Sequence, residues 1–215
     1  MSPVQFSDAA ARLVRIGQRF DARGWVMGTS GNFSVVIDQE PLRLAITRSG
    51  THKGELDTND ILEVGSDGTA IGTSPVTGPG VPSAETRLHL EIVAARQAAA
   101  VLHTHSIWST LVSDRFGSRG VVPIEGFEML KGLAGVASHE HREWIPVLEN
   151  DQDMERLAVK VRDVLHEFPD CHAFLLRRHG MYTWGATVPE AVRHVEIIEF
   201  LLESVGRKEA APWRS

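Results

Sequence analysis

The chain has 215 residues, 42% of them hydrophobic and 23% charged, which is enough for one domain with a sizeable core and short for two. Lys plus Arg is 22 and Asp plus Glu is 28, so the formal net charge is −6, a poor balance for a general nucleic-acid binder but no bar to a local anion pocket. No apolar run approaches the roughly 20 residues of a membrane-spanning helix, and the start at Met1 lacks the basic and apolar regions of a secretory signal.

In chain order, Ser7-Asp8 is placed to cap a first helix, with Ala9, Leu13, Ile16 and Phe20 at helical spacing and an end near Arg23-Gly24. Phe33 to Ile37 reads as a strand, and the alternation of Leu42, Leu44 and Ile46 predicts another. Ile61 to Val64 and Thr69 to Ile71 flank Gly65-Ser-Asp-Gly68, a hairpin turn pattern. Thr73 to Pro82 is rich in Pro, Gly and Thr and reads as a loop.

A second helix is expected from Ser83 to about Ala98, a buried strand over Ala99 to His105 and a helix over Ile107 to Asp114. Asp151 to Phe168 is amphipathic, with Leu157, Val161 and Leu165 on one face. Cys171 to Arg177 and Met181 to Trp184 read as paired strands, and Thr187-Val-Pro-Glu190 opens a last helix with a capping-box pattern. Residues from about 206 read as a candidate disordered tail. This mixture predicts a single α/β domain over 1–215, a sandwich whose central, mostly antiparallel sheet is flanked by helices.

The residues with chemistry begin with Val101-Leu-His-Thr-His105. Alternate strand residues share a face, so His103 and His105 point the same way and either chelate a metal or serve as two satisfied structural histidines. His179 follows a strand and precedes Gly180, which allows close backbone approach. Three histidines with an open position are a catalytic zinc arrangement. With ten histidines and the single Cys171, a metal, if present, has nitrogen and oxygen rather than thiolate ligands, and a chain without an internal disulfide suits a reducing cytoplasm. His139-Glu140-His141 repeats the spacing in polar surroundings and reads as a solvated loop; His52, His89, His166, His172 and His194 read as surface or packing residues.

Gly28-Thr-Ser-Gly-Asn32, Thr47-Arg-Ser-Gly-Thr51 with Lys53 nearby, and Ser83 before a helix are three features that suit a phosphate. Glu85 reads either as a helix-dipole carboxylate or as an active-site residue. Glu128, in the largely apolar Gly126 to Gly132 segment, is either buried with a raised pKa, as a proton-transfer group needs, or paired with Lys131.

Five of these pieces in order, Gly28 to Asn32, Thr47 to Gly50, Pro82 to Glu85, His103-Thr-His105 and Arg178-His-Gly180, resemble the class II aldolase/adducin family from about Leu13 to Leu202. Phe127 to Gly132, Ile145 to Asn150 and Arg177 to Gly185 resemble a branch that removes water from a methylthio-substituted ketose phosphate. The resemblance implies a class II aldolase-like fold, one Zn2+ per subunit on His103, His105 and His179, and Glu128 as general acid/base. It also implies a phosphate site using Asn32, Ser49, Gly50 and Ser83, to which Lys53 is a candidate addition. The implied partners are a sugar-phosphate substrate and copies of the chain itself in a cytoplasmic homotetramer with sites near subunit interfaces, with no nucleic acid and no membrane. Glu85 sits where sugar-phosphate aldolases of the family carry a metal-binding, proton-transferring glutamate, and where some dehydratases have cysteine. A class II aldolase or pentulose-phosphate 4-epimerase is therefore the alternative enzyme, and a non-catalytic adducin-like module the alternative class.

Overall fold

The computed structural model describes residues 5–71 and 81–210. Its elements in chain order are α1 (Phe6–Asp21), β1 (Asn32–Gln39), β2 (Leu42–Thr47), β3 (Ile61–Gly65), α2 (Thr86–Arg96), β4 (Ala100–Thr104), α3 (Ile107–Phe116), β5 (Val121–Glu125), β6 (Arg142–Leu148), α4 (Met154–Glu167), β7 (Ala173–Leu176), β8 (Gly180–Gly185) and α5 (Val188–Ala210). Eight strands form one sheet in the order β3-β2-β1-β4-β8-β7-β6-β5. Every neighbouring pair is antiparallel except β6 and β7, which α4 links as a parallel crossover.

Strand alternation divides the core. Val35, Ile37, Ala100 and Leu102 face one cluster with residues of α1, α3 and α5, while Val36, Leu44, Ile46, Val101 and Tyr182 face the other with residues of α2 and α4. Helices thus cover both faces, and the sheet supplies one rigid floor for the loops at its ends. Among the described residues, no helix is long and apolar enough to cross a membrane.

Several boundaries differ from the sequence expectation for local reasons. Helix α1 starts at Phe6 behind Gln5, so Asp8 lies inside its first turn and favours the helix dipole rather than capping it. Helix α2 begins at Thr86, because the Ser83 hydroxyl and carbonyl bond the backbone of Glu85 and Thr86 in a preceding turn. The Gly65–Gly68 turn forms, but its return leg is a single bridge of Ala70 to Val64. At Thr187 the hydroxyl accepts from the Glu190 N–H, whereas Glu190 reaches back to Ala186. Strands β5 and β6 were not foreseen. Each holds a proline, Pro123 and Pro146, and β6 opens with Arg142-Glu143, which hides the strand pattern. Helix α5 runs to Ala210, so 206–210 are helical rather than a disordered tail. Most of the expected 73–82 loop lies outside the described residues; Pro82 bridges to Arg48.

Leu102 is fully buried in central strand β4. Leu102→Ala should cost about 2–5 kcal/mol, read as a lowered denaturation midpoint; an unchanged midpoint would contradict β4 as a core strand.

Candidate metal centre

Strands β4 and β8 build the centre. His103 pairs with Tyr182 and Thr104 with Met181 across the antiparallel ladder. The His103 ring stacks on Tyr182 at 3.9 Å and 11°, and Tyr182 stacks in turn on Phe174 of β7 at 5.0 Å. His105 continues the same face just past β4. His179 arrives from the tight β7–β8 turn, where Arg178 adopts a left-handed φ of 56° and donates its N–H to the Ser113 hydroxyl. Gly180 makes the approach feasible: a Cβ there would lie 2.1 Å from the Thr104 carbonyl oxygen and 3.1 Å from the His103 ring. Gly31 acts similarly just before β1, with a φ of 73° and the His103 carbonyl 2.7 Å from where its Cβ would stand.

One nitrogen from each of His103, His105 and His179 lies within 4.8 Å of the others. His103 Nδ1–H donates to the Met181 carbonyl at 2.9 Å, which leaves Nε2 as a free lone pair. Asn150 Oδ1 faces His179 Nδ1 at 3.3 Å and similarly directs its Nε2 inward. Burial holds all three rings below their ordinary pKa, His105 down to about 3, and for His103 and His105 neighbouring imidazoles add to the effect. Neutral, converging, oriented imidazoles are the donor set a divalent ion needs, and the residues fit one.

Glu85 closes the cluster. Its carboxylate lies 3.3 Å from His179 Nε2 and 3.6 Å from His103 Nε2. Asn32 holds it there: the buried amide donates to Glu85 and to Ser83 Oγ, while its oxygen meets His89 Nε2. His89 completes the chain with the Ser34 hydroxyl at 2.7 Å, and burial lowers its pKa to about 4. His89 is buried, as a packing residue would be, but the sequence did not reveal its bond to Asn32, although its position four residues after Glu85 puts the two on one face. Nor did the sequence reveal Tyr182 and Asn150 as supports of the histidines.

The loops with phosphate character meet beside this cluster. Ser49 N–H donates to the Val81 carbonyl, which brings the Ser49-Gly50 turn against the segment leading to Ser83. Lys53, 1% exposed, donates to the carbonyls of Thr29 and Thr51 at 3.1 and 2.7 Å, tying the two Gly-rich turns together. Burial brings its pKa down to about 8.

Glu128 is elsewhere. The β4–β8–β7–β6 registers put the histidines at the Leu148 end of β6, whereas Glu125, three residues before Glu128, pairs with Arg142 at the other end. Six residues along β6 and four strand steps from β4 put Glu128 on the order of 20 Å from the histidines of its own chain. The carboxylate is exposed and accepts from Lys131 Nζ at 2.7 Å, with His139 at 3.7 Å, and the Lys131 bond lowers its pKa. Of the two readings of Glu128, the pair with Lys131 is the one that forms rather than a buried carboxyl with a raised pKa, because the segment is a surface 3-10 turn, Glu128–Gly132. His141 departs from a solvated loop, since it bonds the buried Glu143 at 2.8 Å.

Residues 11–205 match the model of the class II aldolase and adducin N-terminal domain. The chain belongs to the class II aldolase/adducin family. Within it, the chain is 44% identical over 204 residues to a methylthioribulose-1-phosphate dehydratase of Methylococcus capsulatus, covering 94% of this chain and 95% of that one. Its fold is similar to an L-fuculose 1-phosphate aldolase, with a TM-score of 0.76 at 23% identity over 98% and 91% of the two chains. It is also similar to YgbL of Klebsiella pneumoniae, a putative aldolase/epimerase/decarboxylase, with a TM-score of 0.77 at 22% identity over 99% and 93%.

Gly180→Ala should open the β4–β8 junction and spread the histidines, weakening divalent-ion affinity at least tenfold by calorimetric titration. Unaltered affinity would show that close approach at Gly180 is not what gathers them.

Proposed function

We propose that the chain is a zinc-dependent methylthioribulose-1-phosphate dehydratase of methionine salvage, working in the cytoplasm. It takes 5-methylthioribulose 1-phosphate to 5-methylthio-2,3-dioxopentyl phosphate and water. One observation carries the proposal: three imidazole nitrogens converge beside a carboxylate in a chain 44% identical to such a dehydratase over nearly its full length. A divalent ion on His103, His105 and His179 supplies Lewis acidity that makes the carbon next to a ketone acidic.

The chain's own residues have the remaining tasks. Asn32, Ser49, Gly50 and Ser83, backed by the buried Lys53, hold the phosphate and so fix the ketone end of the substrate against the histidines. Glu128 is the general acid/base: it takes the C3 proton and returns a proton to the C4 hydroxyl, which leaves as water. The enol that remains tautomerises to the 2,3-diketone. Because Glu128 stands on the order of 20 Å from its own histidines, a second copy supplies it. Exposed apolar side chains support such docking: Met129 and Trp144 near Glu128, Ile107 and Leu111 just past His105. A closed homo-oligomer, a homotetramer in this reading, would cover both.

A second reading has one specific observation behind it. Glu85, rather than Glu128, adjoins the histidines of the same chain, as a sugar-phosphate aldolase or 4-epimerase requires for proton transfer beside the metal.

Metal-replete protein given 5-methylthioribulose 1-phosphate should form a product lighter by one water, followed by mass and by diketone absorbance. No water loss, together with condensation of dihydroxyacetone phosphate and an aldehyde, would favour the aldolase. Glu128→Gln and His103→Ala should each be inactive, yet randomly mixed oligomers of the two should regain roughly a quarter of wild-type activity, since half the sites keep their histidines and half the neighbours keep Glu128. No recovery would contradict Glu128 acting from a second copy.

A further inference from the structure

Two histidines grip the backbone of a single residue, one on each of its flanking peptide groups, at the far end of the sheet. Ala134, two residues beyond the Glu128–Gly132 turn, donates its N–H to His194 Nε2 at 3.1 Å, and its carbonyl accepts from His172 Nε2 at 2.9 Å. The other nitrogen of each ring is also committed. His194 Nδ1–H donates to the Trp184 carbonyl at 2.7 Å, and His172 Nδ1–H donates to Glu143, 3.1 Å from each carboxylate oxygen. The two rings meet edge to face at 5.0 Å.

These partners dictate protonation, because an amide N–H only donates and a carbonyl or carboxylate only accepts. His194 has to be neutral with its proton on Nδ1. His172 has to carry both protons and be an imidazolium. Glu143, 1% exposed, is its counter-ion and also accepts from the His172 backbone N–H at 2.9 Å and from His141. The Glu128 turn has a second anchor on α5, where Gly132 lies so close to Ile197 that a Cβ would stand 2.4 Å from its side chain.

We propose that His172, Glu143 and His194 form a clamp on Ala134 that positions the turn bearing Glu128 for the neighbouring site. This role for the turn rests on Glu128 being the proton-transfer group. The three are positioning residues, not catalytic ones.

The clamp depends on pH in two directions. Burial opposes a charged His172, but the Glu143 carboxylate outweighs it and raises the pKa above 6.5. Burial lowers the pKa of His194 below 6.5. Both His172 side-chain bonds are therefore present at low pH, and one of them is lost as pH rises through its folded pKa, because the neutral ring keeps a single N–H. The His194 bond to Ala134 is present at higher pH and lost as pH falls through its folded pKa. Both hold in a window spanning 6.5. The other groups facing the pair are Glu190 and Arg193 of α5, Arg96 of α2 and Asp170. Cys171, its thiol pushed up to about 11, is neutral throughout.

Hydrogen–deuterium exchange of 127–136 and steady-state kinetics on the metal-replete oligomer test this together. His172→Ala should speed exchange there about tenfold and lower kcat about 10- to 100-fold, with KM within about twofold and bound metal unchanged. His172→Gln, which keeps one donor for the Ala134 carbonyl but no charge, should restore part of the protection and part of kcat, and should lack the high-pH loss of kcat. Unchanged exchange in both variants would overturn the clamp. Faster exchange with wild-type kcat, where Glu128→Gln is inactive, would overturn its positioning role. A fully active Glu128→Gln would instead remove Glu128 from the reaction, while exchange would still report whether the clamp exists.

Discussion

Strand β8 can approach β4 closely because residue 180 has no side chain. The Thr104 carbonyl occupies the space a Cβ would need, 2.1 Å away. From that contact the geometry of the centre follows. The β4–β8 register stacks Tyr182 under His103, and the turn before Gly180 presents His179 to the pair on β4. On the opposite face, the Thr104 hydroxyl donates to the buried Glu199 of α5 at 2.9 Å. The segment carrying His103 and His105 is therefore held from both sides, and burial pushes Glu199 up to about 7. Such support keeps ligand side chains from relaxing away from one another.

Burial then decides the chemistry. It keeps the three imidazoles neutral and lowers Lys53 to about 8, so the site presents lone pairs and one weakened cation rather than a cluster of positive charge. Asn32 joins the two halves of the site, because its amide touches Glu85 beside the histidines and Ser83 beside the Gly-rich turns. A shift of that one side chain would be felt both at the histidine cluster and at the Gly-rich turns.

Much of this was legible in the sequence, for reasons that can be named. Period-two alternation put His103 and His105 on one face, and glycine after His179 signalled close approach. Helices α4 and α5 were visible because their apolar faces recur at helical spacing. What stayed hidden depends on contacts distant in sequence. Strands β5 and β6 were obscured by Pro123, Pro146 and the charged start of β6. The Glu128 segment looked apolar enough to be buried, but the edge position of β5 leaves it at the surface. His172 and His194 carry no spacing signal, since the peptide they hold, Ala134, comes from a distant part of the chain. Local pattern reports which face a residue takes; it does not report what meets that face.

The chemistry of the site depends on whether the three histidines bind an ion together. Titration of metal-stripped protein with Zn2+, read by calorimetry, measures this directly. A shared centre should saturate at a single ion per chain, with that binding abolished in both His105→Ala and His179→Ala. Binding that survives loss of either histidine, or no binding by the wild-type chain, would contradict it.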